Sequence, residues 1–280
     1  MRESVSAALL VTMAAYMLGV RALWTKQAQR GVRMWEVLSF VFGCGVMAIA
    51  LLSPLHEISE QLFSAHMVQH ELLMVVAAPL LVLGRPGMIM LWSLPLAARQ
   101  SLGHLSKSTM VSGTWGFLSR PFDAWLLHAI VIWGWHVPVL FQSTLESERM
   151  HALQHCSFIG SALLFWWVVI YPHRRAALGL SIVSLFTTAV HTAVLGALMT
   201  FARTPWYPNY GNGGAEWGMS PVQDQQLAGL VMWIPASVAY LVAALVIMRR
   251  WLRDSESRVA YHERPITTAT RTLECVDVTS

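Results

Sequence analysis

Residues 61–83 read Gln61-Leu-Phe-Ser-Ala-His66-Met-Val-Gln-His70-Glu71-Leu-Leu-Met-Val-Val-Ala-Ala-Pro79-Leu-Leu-Val-Leu83, with Glu71 the one formal charge. A helix rises 1.5 Å per residue and a bilayer's hydrocarbon core is about 30 Å thick, so a run this long and this apolar predicts a membrane span. Six further stretches meet the same test, at approximately 4–23, 34–53, 121–141, 149–171, 177–201 and 224–248. The first stays apolar for too long, and lacks the small-residue site, to be a cleaved signal peptide. A shorter apolar piece, Gly87 to Leu96, is bounded by Pro86 and Pro95 and is expected to be re-entrant or interfacial. Composition agrees: 55% of the 280 residues are apolar and 12% charged, about half the charge of a soluble domain. The fold class that follows is all-α, a polytopic membrane bundle of seven transmembrane helices with the lipid bilayer as its solvent. Residues 1–251 form one membrane domain, and 252–280 are expected to be a disordered cytoplasmic tail. Disorder throughout, a nucleic-acid-binding domain and a disulfide scaffold are excluded. The last would need more than the three scattered cysteines Cys44, Cys156 and Cys275.

The net charge of +4 is explained by topology. Sixteen of the nineteen Lys and Arg follow spans one, three, five and seven, from Arg21 and Arg33 through Arg85, Arg99, Lys107, Arg120, Arg174 and Arg175 to Arg249, Arg250 and beyond. The other side holds Arg2, Arg149 and Arg203 beside Glu57, Glu60, Glu146, Glu148, Glu216 and Asp224. Cytoplasmic loops collect positive charge, so the N-terminus is expected outside and the C-terminus in the cytoplasm. Trp24, Trp35, Trp166, Trp167 and Trp251 at inner ends, and Trp133, Trp135, Trp206 and Trp217 at outer ends, fit interfacial belts.

Against this background stand 11 His and 15 Met. Histidine within a membrane helix is costly and normally faces the bundle interior. Span three opens with His66-Met-Val-Gln-His70 and span five with His151-Ala-Leu-Gln-His155, two copies of His-x-x-Gln-His. Positions i and i+4 share a helix face, about 6 Å apart along the axis, so each pair can chelate one ion. His136 near the outer end of span four and His191 about ten residues below the outer end of span six fall in the same layer. Asp224, Gln225 and Gln226 enter it at the start of span seven. His128 stands alone in mid-span, where a packing hydrogen bond accounts for it. His56 is placed just outside the membrane. His104, His173 and His262 belong to inner loops or the tail. Met67, Met150, Met199, Met219 and Met232 lie in the half of the chain that can add thioether ligands.

Imidazole suits zinc, copper and iron, and thioether or thiolate neighbours favour Cu(I). The candidate ligands are therefore His66, His70, His136, His151, His155 and His191, with Asp224 and Glu71 as supporting carboxylates. Zinc bound by three histidines, as in a metal hydrolase, and haem held between facing histidines are the alternatives. A purely structural histidine layer in a scaffold protein is a third. The chain has no phosphate loop, no Gly-x-Ser-x-Gly elbow and no His-Glu-x-x-His helix.

Longer motifs add a resemblance. Ser53-Pro-Leu-His56, Phe63 to Met74, Ala78 to Pro86, Trp135-His136-Val137-Pro138, His151 to His155 and Ser220 to Pro235 resemble, in order, the multi-spanning CtaG family. These are assembly factors of caa-type cytochrome c oxidase, unrelated in fold to the single-span copper chaperone of similar name. The likeness covers roughly residues 34–250. It implies a multi-pass protein of the bacterial plasma (inner) membrane, not an enzyme, that helps mature a haem-copper oxidase. It also implies copper handling for the oxidase active site, with a cytochrome c oxidase subunit as partner.

Overall fold

The computed structural model describes residues 2–26, 31–172, 178–211 and 213–262, and among these every regular element is helical. His173, Arg174, Arg175 and everything from residue 263 onward lie outside the described residues, as does the side chain of His262. Among the described residues six helices are long and apolar enough to cross a membrane, seven if a bent pair is taken as one span. The spans formed by one continuous helix are α1 (Arg2–Lys26), α2 (Met34–Leu52), α11 (Glu148–Ile170), α12 (Leu178–Thr200) and α13 (Pro221–His262). The third span is composite: α4 (Phe63–Glu71), a π-helical turn (Leu72–Ala77) and α5 (Ala78–Leu83). Pro79 has no N–H to give to an α-helical ladder. The backbone meets it by widening, with the Ala78 N–H reaching back five residues to the Leu73 carbonyl.

The fourth span, expected over 121–141 with an interruption at Pro138, is a broken one. It breaks into α9 (Pro121–Trp135) and α10 (Pro138–Glu146), bent by 70°. Pro138 disfavours helical backbone at the residue before it, and Val137 is accordingly extended at φ −65°, ψ 125°. His136 sits at the break as the C-cap of α9. Between spans three and four the chain is not simple loop. It forms α6 (Pro86–Leu91), which packs on α1, then α7 (Leu96–Ser106) and α8 (Thr109–Leu118), neither with a buried residue. At the other end of the chain α13 continues to His262, so residues 252–262 of the expected tail are helical. No Gly or Pro occurs between Pro235 and Pro265 to stop the helix.

Helices α12 and α13 pack closely where Gly196 and Gly229 face each other. A Cβ on Gly229 would run into the Gly196 carbonyl and the Thr200 hydroxyl; small residues let membrane helices approach this closely. The main core gathers Phe63, Met67, Phe141, Phe158, Phe165, Trp166, Met199, Met232 and Tyr240 from spans three, four, five, six and seven. Trp166 is therefore a core residue rather than a belt anchor, its indole N–H donating to the Met74 carbonyl at 2.9 Å. A second, smaller core joins α1, α2, α5 and α6 through Tyr16, Val20, Phe40, Leu81 and Ile89, with Tyr16 and Phe40 stacked at 3.8 Å.

Candidate metal centre

The two His-x-x-Gln-His segments open α4 and α11, and the bundle sets them side by side. Within each motif the rings are one helical turn apart, 4.2 Å between centroids for His66 and His70 and 4.4 Å for His151 and His155. Across the helices His66 lies 5.3 Å from His151 and 6.0 Å from His155, and His70 lies 5.4 Å from His155. One ring nitrogen from each of His66, His151 and His155 falls within 4.8 Å of the other two. The Nε2 atoms of all three, and both nitrogens of His70, are buried with no hydrogen-bond partner. An unpaired buried polar group costs about 1–3 kcal/mol. Neutral imidazoles converging in this way present lone pairs to one point, which is what a metal ion requires of its ligands.

Span-three backbone is held in place by Asp224. Its Oδ2 accepts from the Phe63 N–H at 2.7 Å and its Oδ1 from the Ser64 N–H at 3.0 Å. The last span thus caps the helix that carries His66 and His70, a charge-assisted cap at the positive end of the helix dipole. The connection from α12 to α13 folds over the same end. The Tyr207 hydroxyl donates to the His136 carbonyl at 2.8 Å, the Tyr210 hydroxyl to the Ser59 carbonyl at 3.2 Å, and both rings pack on Phe63. Burial, and the Asp224 carboxylate beside it, push the Tyr210 phenol well above its ordinary pKa, so it acts as a neutral donor.

His136 approaches from the break in span four. Its Nδ1 lies 2.7 Å from the Ile132 carbonyl, which accepts only, so Nδ1 carries the proton and Nε2 offers the lone pair. That Nε2 is buried and unpartnered, and the ring is within electrostatic reach of His66 and His70. His191 is placed elsewhere. It accepts from the Trp133 indole at 3.3 Å, borders Trp125 and faces His128, whose Nδ1 lies 3.0 Å from the Ser161 hydroxyl. Glu71 is within electrostatic reach of Tyr240 on α13, with Oε2 buried and without a hydrogen-bond partner. Met67, Met199 and Met232 are packed in the main core.

His56 joins the site although its position just outside span three gave no reason to expect burial. It is 6% exposed on α3 (Pro54–Gln61), with its ring 5.9 Å from His151. Ser53 accepting from the Leu55 N–H and Pro54 at the first helical position start this short helix, a start signal visible in Ser-Pro alone. The two central glutamines diverge. Gln69 donates to the Ala50 carbonyl at 2.7 Å, accepts from Ser59 at 3.2 Å and lies 3.3 Å from His56 Nδ1. Gln154 is fully buried, its amide close enough to interact with His66 but in hydrogen-bond geometry with no neighbour.

Two cavities border the histidine cluster, each at different members of it. One of about 350 Å³ is polar, with His66 and His151 at its floor and Glu60, Glu146 and Glu148 around it. The other, about 540 Å³, is mostly apolar, runs between α1, α2 and α11, and reaches His56, His155, Cys44 and Cys156.

Comparison with known sequences places this geometry in a family. An uncharacterized protein of Mycobacterium bovis is 27% identical over 267 residues, covering 88% of this chain and 38% of that protein. An uncharacterized protein of Mycobacterium leprae is 25% identical over 255 residues, covering 85% of this chain and 37% of that protein. The chain thus spans less than two fifths of the length of these relatives. No solved structure matches. Residues 14–254 match the family described as cytochrome c oxidase caa3 assembly factor (Caa3_CtaG), which takes in every span but the start of α1. This chain belongs to the caa3 cytochrome c oxidase assembly factor family.

Proposed function

We propose that the protein serves oxidase assembly as a membrane-embedded copper carrier, binding the ion through His66, His151 and His155 with His70 and His136 adjacent. The observation that carries this reading is the convergence of three buried, unpartnered imidazoles from two helices within 4.8 Å. Three nitrogen donors leave coordination positions open, and neighbouring donors let an ion move by stepwise exchange, which suits transfer better than a saturated cage. The acceptor in this reading is a subunit of the oxidase in the same bacterial cell membrane. The histidine end faces outward, in keeping with the sixteen Lys and Arg expected on the opposite side. Copper is cargo here, and no substrate is chemically converted.

A specific observation favours a second reading. Three histidines beside a polar cavity of about 350 Å³ also fit a zinc hydrolase with an activated water. Elemental analysis and an absorption spectrum on one anaerobic preparation separate the two. The expected result is one Cu(I) per chain, no haem Soret band, and loss of both copper and oxidase assembly in the His66→Ala/His151→Ala/His155→Ala variant. Zinc with turnover on a lipid or peptide would replace the carrier reading. Normal assembly by the triple variant would end it.

A further inference from the structure

The polar cavity has two zones of different chemistry. Its floor is the pair His66 and His151, 1% and 9% exposed, each with an unpartnered Nε2. Its rim carries three carboxylates from three elements: Glu60 on α3, Glu146 at the end of α10 and Glu148 at the start of α11. The rim is exposed to solvent, Glu60 by 62%. Its carboxylate lies 3.8 Å from His56 Nε2, on the wall of the histidine cluster. Nearby Glu57 pairs with Arg2 at 3.0 Å and does not line the cavity. The chain bends by 70° at His136–Val137, and α10 ends with Glu146 at the cavity shared by the last turn of α3 and the start of α11. A cleft lined by one sign of charge over low-dielectric walls raises the local concentration of the opposite ion.

We infer that Glu60, Glu146 and Glu148 form an acidic port that draws a hydrated metal cation from the aqueous phase and delivers it to His66 and His151. The inference rests on the reading of the histidine cluster as a metal centre and adds its route of entry. The carboxylates act at long range and the imidazoles hold the ion, so the two sets of residues control different quantities. Rim charge sets the association rate, and ring nitrogens set whether the ion stays.

The test uses the full chain in detergent, mixed rapidly with aqueous Cu²⁺ in a non-coordinating buffer and followed by tryptophan fluorescence. The His66→Ala/His151→Ala/His155→Ala variant supplies the background to subtract. For the unaltered protein, the association rate is expected to fall about tenfold as ionic strength rises from about 20 to about 300 mM, as screening shortens the reach of the rim charges. The Glu60→Gln/Glu146→Gln/Glu148→Gln variant is expected to bind the same stoichiometry, about tenfold more slowly at low salt, with a nearly flat salt dependence. Glu57→Gln is expected to match the unaltered protein. A salt-independent rate in the unaltered protein overturns the port without recourse to any variant, as does an unchanged rate in the glutamine variant. In both cases the metal centre stands. Failure of the unaltered protein to bind either Cu²⁺ or, under anaerobic conditions, Cu(I) removes the centre, and the port with it.

Discussion

Single side chains at this site divide into those that build and those that wait. Asp224 builds: two backbone N–H groups of α4 end on its carboxylate. Hydrogen bonds to a charged group contribute about 1.5–3 kcal/mol. Asp224→Ala is therefore expected to lower the detergent-melting temperature and to speed copper release, because it frees the helix start that aims His66 and His70. Asp224→Asn, which keeps one acceptor, is expected to recover part of both losses. The two glutamines give an opposite pair. Gln69→Leu breaks a network joining Ala50, His56 and Ser59 and is expected to destabilise the protein by a few kcal/mol, roughly two bonds with their buried partners left unpaired. Gln154→Leu removes two unpaired buried atoms, so thermal stability is expected to hold or rise while copper affinity falls. Equal destabilisation by the two variants would show that Gln154 is a packing residue. The motif itself was legible because His-x-x-Gln-His is local and helical spacing is regular. What differs between the two copies was not legible, since Gln69 and Gln154 hold the same place in the motif and differ in neighbours distant along the chain. His56 and His191 exchanged places for the same reason. Depth can be counted along a helix, but the direction a ring faces depends on packing.

At the scale of the element, hydropathy located six spans to within a few residues, since a bilayer's thickness fixes the length of an apolar helix. It failed where backbone chemistry overrides apolarity. Pro138 interrupts the fourth span as its sequence position implies, but the 70° angle between the two pieces was not legible, because apolarity alone does not reveal which way a broken helix folds. The helices α7 and α8 were invisible to the same test, being short and unburied. The crossing of α12 and α13 makes the most exacting demand on sequence. Gly229→Ala places a methyl against the Gly196 carbonyl and the Thr200 hydroxyl, neither of which is the end of a flexible chain. Overpacking of this kind costs about 1–3 kcal/mol, so its melting temperature is expected to drop by several degrees. Gly160→Ala, on α11 with nothing within 4 Å of the new methyl, is expected to leave it unchanged or slightly higher. Equal behaviour of the two variants in a detergent thermal-stability assay would mean the α12–α13 contact is looser than described.

For the whole molecule, the partition of charge and histidine between its two ends determines how it can work. The histidine end carries Glu60, Glu146, Glu148 and Asp224, while the opposite end is anchored by Arg85, which pairs with buried Glu36 at 3.5 Å. The Tyr16 hydroxyl donates to the neighbouring Gly84 carbonyl at 2.8 Å, tying α1 to the same corner. Lys and Arg counts made this polarity legible, but the Glu36–Arg85 pair that secures it joins residues 49 positions apart and has no local signature. The physical consequence is directional. If the basic end is cytoplasmic, the polar cavity lined by Glu60, Glu146, Glu148, His66 and His151 lies at the outer side of the membrane. Single cysteines introduced into a chain lacking Cys44, Cys156 and Cys275 test this in intact cells with a membrane-impermeant maleimide. Ser220→Cys, at the start of α13 beside Asp224, is expected to be labelled before lysis; Ser106→Cys, at the end of α7, only after it. The reverse pattern would put the histidine cluster at the cytoplasmic face and require that copper be taken from inside the cell.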